Sequence, residues 1–318
     1  MTITTRRSIL LGSLTTLCLP LLGCGRGAQG SNQTDSDPPD ITIQLGALEA
    51  ASGSRRLGVA VLDGKDGTIV GHRTDERFTM CSTFKFSLAA LVLARIDAGE
   101  IAGDAMLPIT SDDPVGFSPV LREALRTGET RMSVLELTEA AQVRSDNGAS
   151  NILLRQLGGP SELTTFWRSL GDDVSRLDRY EPQLNESHGD DIRDTTSPAA
   201  MARSMNAILA GQALQPASRE RLIGWMVETR TGLERLRGGL PPQWRAGDKT
   251  GTNPGDGSYD SKTNDIAVVW HPDRTEPFFI TGFVETPVLG EPPDSWREQD
   301  AVLAQAGRIA AEWIATRI

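Results

Sequence analysis

The pattern of apolar and polar residues divides the chain after residue 40 into strands near both ends and a long helical stretch between them. Short apolar runs predict strands at 57–62, 68–72, 266–270 and 277–284. Helical spacing predicts a first helix at 41–52, a mostly helical stretch from 78 to about 230 and an amphipathic helix from about 295 to 316. We therefore predict an α/β fold: an antiparallel sheet formed by both chain ends and flanked by helices, with a large all-helical subdomain inserted. One domain at 41–318 would comprise an α/β part at about 41–76 and 231–318 and a helical part at about 77–230.

The first 23 residues have the pattern of an export signal. Arg6 and Arg7 precede an apolar run from Ile9 to Leu22, and Leu-Leu-Gly-Cys at 21–24 is similar to a bacterial lipoprotein cleavage box. We predict a lipoprotein-type signal peptide at 1–23, a lipid on Cys24 and a flexible tether at 24–40, which is too polar to fold. An ordinary secretory signal with an incidental cysteine is the alternative, and Sec and twin-arginine export both stay open. Either signal predicts an exported protein, periplasmic or at the cell surface, which the lipid would anchor to the membrane.

Composition and charge limit which partners the protein can bind. The chain has 318 residues, of which 38% are apolar, so it can bury a substantial core. Its 42 acidic residues outnumber its 32 basic residues, which argues against nucleic acid and anionic membrane surfaces as partners. Cys18 leaves with the signal and Cys24 would carry the lipid, so Cys81 is left alone and no disulfide can form within the mature fold. We expect a monomer.

Four short segments carry the candidate chemistry: Ser82-Thr-Phe-Lys85, Ser145-Asp-Asn147, Glu181-Pro-Gln-Leu-Asn185 and Lys249-Thr-Gly251. Ser82 and Lys85 are three residues apart and would share one face of a buried helix that starts there, at the positive end of its dipole. Only 4 of the 32 basic residues are lysine, and two of these lie in the segments. A buried lysine can lose its proton near neutral pH, whereas arginine cannot, so Lys85 is a candidate for proton transfer.

Together these segments are similar to the motif set of class A serine β-lactamases, and the resemblance extends over nearly all of residues 41–318. The run Arg176-Leu-Asp-Arg-Tyr-Glu-Pro-Gln-Leu-Asn185, followed by Arg193-Asp-Thr-Thr-Ser-Pro-Ala-Ala-Met201, is similar to the omega loop of that family and the helix after it. The resemblance implies that Arg179 and Asp194 hold the neck of this loop. It also implies a cis peptide bond between Glu181 and Pro182.

The resemblance implies a role for each motif residue. Ser82 attacks the β-lactam carbonyl, and its proton passes either to Lys85 directly or to Glu181 through a water. Ser145 hands a proton to the departing nitrogen, and the backbone amides of Ser82 and Thr252 form the oxyanion hole. The residues expected to bind substrate are Asn147, Asn185, Lys249, Thr250, Gly251, Thr252, Arg235 and Phe117, of which Lys249, Thr250 and Arg235 would bind its carboxylate.

A carboxylate and a carboxamide four residues apart, Glu181 and Asn185, can grip one water and direct it at the acyl-serine. This pair favours a β-lactamase that turns over β-lactam antibiotics and confers resistance. A D-alanyl-D-alanine peptidase or a lipid-anchored β-lactam-binding sensor is the alternative, and either would keep the acyl group for longer.

Other chemistries fit the sequence less well. His72, His188 and His271 are scattered and form no zinc-binding motif, so we expect neither metal nor cofactor. Cys81 stands beside Ser82, but no histidine is near it in the sequence and its apolar neighbours favour a place in the core. Some carbapenem-hydrolysing relatives pair a cysteine at this position with one directly after the Lys-Thr-Gly-Thr segment. Asn253 stands there in this chain, so that covalent link is absent and the substrate spectrum stays open.

Overall fold

The computed structural model describes residues 40–53, 55–187, 190–255, 260–286 and 295–318. The predicted signal peptide, Cys24 and nearly all of the tether lie outside the described residues, as do His188 and part of the turn after Asn253. Export and lipid attachment therefore stay predictions. Among the residues that are described, we find no helix with the length and apolar content needed to span a membrane.

The described residues form ten α-helices and nine strands. The helices are α1 Ile41–Ala51, α2 Phe84–Asp97, α3 Pro119–Arg126, α4 Val134–Val143, α5 Asn147–Leu157, α6 Pro160–Ser169, α7 Pro198–Leu209, α8 Pro216–Val227, α9 Leu236–Gly239 and α10 Ser295–Ala315. The strands are β1 Arg56–Asp63, β2 Ile69–His72, β3 Phe78–Thr79, β4 Met106–Pro108, β5 Arg131–Ser133, β6 Thr195–Thr196, β7 Arg245–Asn253, β8 Ser261–Trp270 and β9 Phe278–Thr286.

Five of the strands form an antiparallel sheet in the order β2-β1-β9-β8-β7. Strands β1 and β2 come from the start of the domain and β7 to β9 from its end, while α2 to α9 lie between them in the chain. The predicted fold class is therefore confirmed. Strand β7 is an edge strand of this sheet, which leaves one of its sides free to face a cleft.

The sheet is buried on both faces. Along β8, Ile266 and Val268 pack with the helical region, whereas Ala267 and Val269 pack with α1 and α10 on the opposite face. Successive side chains of a strand point to opposite faces, so a strand covered on both sides becomes an almost continuous apolar run. This explains why 266–270 is recognisable as a strand from the sequence.

The helical stretch differs in detail from its prediction. Two short two-stranded sheets, β3 with β6 and β4 with β5, interrupt it. Helix α2 begins at Phe84 and not at Ser82, because Cys81–Thr83 form a tighter 3₁₀ turn ahead of it. The prediction that Ser82 itself opens a regular α-helix was therefore wrong. The first and last helices, α1 and α10, agree with their predicted positions to within one residue.

Asp63, at the end of β1, joins three distant parts of the chain. Its buried carboxylate accepts hydrogen bonds from Arg274 at 3.1 Å, from Arg317 after α10 at 3.2 Å and from the Lys65 N–H at 2.9 Å. Burial by itself would raise the pKa of Asp63, but these three donors outweigh it and lower the pKa to about 2. The ionised carboxylate therefore stabilises the fold.

We expect Asp63→Asn to lower the free energy of unfolding by roughly 1–3 kcal/mol at pH 7, because two arginines lose a buried acceptor. The folded-state pKa of Asp63 lies below its ordinary value of 3.8, so this stabilisation is complete above that value and disappears as the pH falls towards 2. Urea unfolding of both proteins between pH 3 and 7 checks this. Asp66→Asn is the control, because Asp66 bonds to the same Arg317 from an exposed position. An equal loss of unfolding free energy in Asp63→Asn and Asp66→Asn would contradict the expectation. So would a difference between the native protein and Asp63→Asn that stays constant as the pH falls.

Candidate active site

Ser82 lies on a backbone turn that is held from two sides. Cys81 before it has a φ of 46°, in the left-handed region that non-glycine residues rarely adopt. The Asn264 side chain donates hydrogen bonds to the carbonyls of Thr79 and Met80, at 2.8 and 3.0 Å, and so fixes the chain that leads into this turn.

Gly251 of β7 lies directly against the same turn. A Cβ atom at Gly251 would be 2.7 Å from the Met80 carbonyl oxygen and 3.1 Å from the Ser82 nitrogen, which is closer than real Cβ atoms are normally found. Only glycine allows the edge strand to approach this closely. This contact brings β7 against the Ser82 turn at the residue directly before Thr252.

Lys85 is fully buried beneath Ser82 and lies among four oxygen atoms. Its Nζ is 2.9 Å from Ser82 Oγ, 2.6 Å from Asn147 Oδ1, 3.0 Å from the Ser145 carbonyl oxygen and 3.0 Å from Glu181 Oε1. Burial lowers the pKa of Lys85, and the neighbouring Glu181 opposes this only in part. The lowered pKa suits a lysine that exchanges protons with Ser82.

Glu181 faces Ser82 from the omega loop. Its Oε1 is 3.4 Å from Ser82 Oγ, and its Oε2 accepts a hydrogen bond of 2.6 Å from Asn185 Nδ2. The Asn151 side chain of α5 accepts from the Glu181 N–H at 3.0 Å and donates to the Glu181 carbonyl at 2.8 Å. The peptide bond between Glu181 and Pro182 is cis, as predicted.

The neck of the omega loop has the predicted ion pair. Arg179 Nε lies 2.6 Å from Asp194 Oδ2. The other oxygen of Asp194 accepts hydrogen bonds from the backbone N–H groups of Asp178 and Arg179, at 2.7 and 3.0 Å. Asp194 is fully buried, so the two ends of the loop meet at one shielded carboxylate.

Ser145 and Lys249 form the opposite wall. Lys249 Nζ donates hydrogen bonds to Ser145 Oγ at 3.0 Å and to the Thr250 carbonyl at 2.7 Å. Burial lowers the pKa of Lys249 well below its ordinary value, and the positive charge of nearby Lys85 lowers it further. Ser145 therefore contacts both lysines: its carbonyl oxygen accepts from Lys85 and its hydroxyl accepts from Lys249.

Arg235 is 5% exposed, so it is not a solvated surface residue. Its Nε donates to Asp300 of α10 at 2.6 Å and one Nη to Thr252 Oγ1 at 2.8 Å. The other Nη donates to the carbonyls of Gly251 and Asn264, at 3.1 and 3.0 Å. These bonds hold the guanidinium beside the end of β7, where the sequence predicts the carboxylate of the substrate.

A cavity of about 260 Å³ brings most of the predicted residues together. Its lining consists of Ser82, Phe117, Ser145, Asn147, Glu181, Asn185, Thr231, Arg235, Thr250 and Thr252. Lys85 and Lys249 are buried against this lining through their bonds to Ser82 and Ser145, and Gly251 lies behind the Ser82 turn. Phe117, 58% exposed, forms part of the rim.

Comparison with known proteins identifies the family of the chain. The model of the β-lactamase enzyme family matches residues 41–314, which is most of the chain. The chain belongs to the β-lactamase enzyme family. Among curated relatives, β-lactamase L2 of Stenotrophomonas maltophilia is 40% identical over 294 residues, which cover 92% of each chain. β-lactamase CTX-M-8 of Citrobacter amalonaticus is 37% identical over 299 residues, which cover 94% of this chain and 96% of the relative.

Solved structures place the chain within class A of the β-lactamase family. An ancestral class A β-lactamase is 49% identical with a TM-score of 0.78, and the match covers 86% of this chain and 99% of that one. A β-lactamase from Xanthomonas campestris is 39% identical with a TM-score of 0.79, covering 86% and 97%. The resemblance predicted from the sequence is therefore confirmed.

Several supporting residues in this class A site escaped the sequence analysis. Asn151 holds both backbone groups of Glu181, and Asn264 holds the Ser82 turn. Asp146 accepts from the N–H groups at the start of α3 and of α5, and Asp300 pairs with Arg235. Asn151 follows Asn147 by one helical turn, and Asp146 lies between Ser145 and Asn147, so both could have been found from their closeness to motif residues. Nothing in the sequence around Asp300 or Asn264 marks either residue as part of the site.

Proposed function

We propose that the protein hydrolyses the amide bond of β-lactam antibiotics through an acyl-enzyme on Ser82, which a water activated by Glu181 then releases. The observation that carries this proposal is the position of Glu181, with one carboxylate oxygen 3.4 Å from Ser82 Oγ and the other bonded to Asn185. The relatives named above are β-lactamases, which supports the same reaction.

In the acylation step, Ser82 Oγ attacks the lactam carbonyl carbon and loses its proton. Two groups near this hydroxyl could take the proton: Lys85 in its neutral form, with Nζ 2.9 Å from Ser82 Oγ, and Glu181, whose Oε1 accepts from Ser82 Oγ at 3.4 Å. The backbone N–H groups of Ser82 and Thr252 would stabilise the negative charge that develops on the carbonyl oxygen. Ser145 Oγ gives its proton to the lactam nitrogen as the carbon–nitrogen bond breaks, and it takes one in return from Lys249 Nζ, which donates to it at 3.0 Å.

Substrate orientation would come from the two ends of the cavity. Arg235 and Thr250 place a guanidinium and a hydroxyl at one end of the cavity, with Lys249 buried behind them, and this end suits the carboxylate of a β-lactam. At the other end, Asn147 offers an amide to the acylamino side chain. Phe117 would cover the apolar face of the substrate from the rim.

In the deacylation step, Glu181 and Asn185 would hold a water between the omega loop and Ser82. The carboxylate takes a proton from this water as its oxygen attacks the ester carbonyl. The bond to Ser82 Oγ breaks, and Ser82 regains a proton as the ring-opened acid leaves. Lys85 contacts both Glu181 and Ser82 and can pass this proton back.

We expect the purified protein, residues 25–318, to turn over nitrocefin while its intact mass shows only a short-lived adduct. Rapid quenching followed by mass spectrometry, alongside absorbance of the product, measures both. A stoichiometric adduct that persists would identify a D-alanyl-D-alanine peptidase or a sensor in place of a β-lactamase. Absence of both turnover and adduct would contradict the proposed chemistry altogether.

A further inference from the structure

Asn253, the last residue of β7, reaches from the sheet to the omega loop. Its Nδ2 donates a hydrogen bond of 2.8 Å to the backbone carbonyl of Asn185. Its Oδ1 accepts from the Gly255 N–H at 3.1 Å, which holds the amide with its nitrogen towards the loop. Asn253 pairs with Lys262 of β8, whose side chain is fully buried, so the anchor lies on the rigid sheet.

Asn185 accepts this hydrogen bond through its backbone carbonyl, and its side chain holds Glu181. Asn185 Nδ2 donates to Glu181 Oε2 at 2.6 Å and to the Pro182 carbonyl at 2.8 Å. Among the described residues, Asn253 provides the one side chain from outside the omega loop that hydrogen bonds to Asn185. A continuous set of contacts therefore runs from β7 through Asn253 and Asn185 to one oxygen of Glu181.

The acylation contacts lie on the other side of Glu181. Its Oε1 faces Lys85 at 3.0 Å and Ser82 at 3.4 Å, and its backbone is held by Asn151. The bond between Lys85 and Ser82 does not involve Asn185 or Asn253. A substitution of Asn253 should therefore disturb Asn185 and Glu181 Oε2, which would hold the water, and leave Ser82 and Lys85 in place.

We propose that Asn253 is a positioning residue for deacylation, which keeps Asn185 and Glu181 at the distance needed to hold and aim the hydrolytic water. This inference rests on the proposed function. A misplacement of about 1 Å in a group that positions a reactant can lower a rate on the order of 100-fold. Loss of the hydrogen bond from Asn253 to Asn185 should therefore slow deacylation far more than acylation.

We expect Asn253→Ala and Asn253→Asp to slow deacylation about 10-fold or more while acylation changes by less than about threefold. The aspartate keeps the size and the acceptor for Gly255 but cannot donate, and it repels the Asn185 carbonyl. Single-turnover mixing with excess enzyme gives the acylation rate, and decay of the adduct mass gives the deacylation rate. In steady state, kcat and KM should fall together because acyl-enzyme accumulates.

Gln183→Ala is the matched control, because Gln183 is exposed in the same 3₁₀ turn as Asn185 and should change neither step. Native turnover with unchanged deacylation in both Asn253 variants would overturn the positioning role alone. Equal slowing of both steps with a lower Tm would also overturn it, in favour of a purely structural role. A native protein that does not hydrolyse nitrocefin would overturn the proposed function first and this inference with it.

Discussion

Glu181→Ala is expected to convert the protein into one that is acylated once and then stays acylated. The carboxylate that would take a proton from water is removed, while Ser82 and Lys85 keep their 2.9 Å contact. Loss of a general base of this kind typically costs 10²–10⁴-fold, so deacylation should slow by about 1,000-fold. Nitrocefin should then give a stoichiometric adduct in the intact mass spectrum, with one rapid turnover per enzyme followed only by slow release.

The rate at which this adduct forms shows whether Lys85 or Glu181 accepts the proton of Ser82 during acylation. Burial already lowers the pKa of Lys85, and removing the negative charge of Glu181 would lower it further. A neutral Lys85 can accept the Ser82 proton, so adduct formation near the native rate would assign acylation to Lys85. Adduct formation slowed about 100-fold or more would assign it to Glu181.

Glu181→Gln is the matched control for these measurements, because it keeps the shape of the side chain and the bond partner of Asn185. The glutamine should also trap the acyl group, since it cannot take a proton from water. Continued rapid turnover in both variants would rule out Glu181 as the deacylation base.

Ser82→Ala is expected to abolish both the adduct and turnover, with a loss of activity on the order of 10⁵-fold or more. The acyl-enzyme route requires Ser82 Oγ as the atom that bonds to the substrate. The fold should be retained, because Gly251 and Asn264 hold the turn through backbone atoms. Nitrocefin turnover, intact mass and a thermal melt of the variant check these three statements.

Cys81→Ala tests the neighbouring nucleophile. Cys81 is fully buried, and this burial raises the pKa of its thiol to about 12, so little thiolate exists near neutral pH. We expect Cys81→Ala to keep activity within about threefold of the native protein. An active Ser82→Ala protein, or an inactive but folded Cys81→Ala protein, would contradict the assignment of Ser82 as nucleophile.

Several features of the candidate site could be predicted from short stretches of the chain. Ser82 and Lys85 are three residues apart, and Glu181 and Asn185 four apart, so a single turn of backbone brings each pair into contact. The apolar half of β8, 266–270, and strand β9 were recognisable because both faces of the sheet are covered, which leaves a run of apolar residues.

The start of α2 was predicted less accurately. Gly251 and Asn264, which belong to β7 and β8, hold the chain around Ser82 in a 3₁₀ turn, with Cys81 in the left-handed region. Both residues are distant from Ser82 in the sequence, so the residues around Ser82 do not indicate either contact. Local helix signals therefore placed the start of the regular helix two residues too early.

The sequence by itself determined the type of chemistry, through the resemblance of its four motif segments to those of class A β-lactamases. It also determined the class of fold, because helical spacing and short apolar runs are local properties. Only the tertiary structure decided which distant groups meet. Ser82 and Glu181 are 99 residues apart, Asn253 and Asn185 68 apart, and Arg235 and Asp300 65 apart. These contacts depend on the register of the sheet and on how the omega loop closes over its edge, and one residue of slip in a strand would reverse every side chain along it.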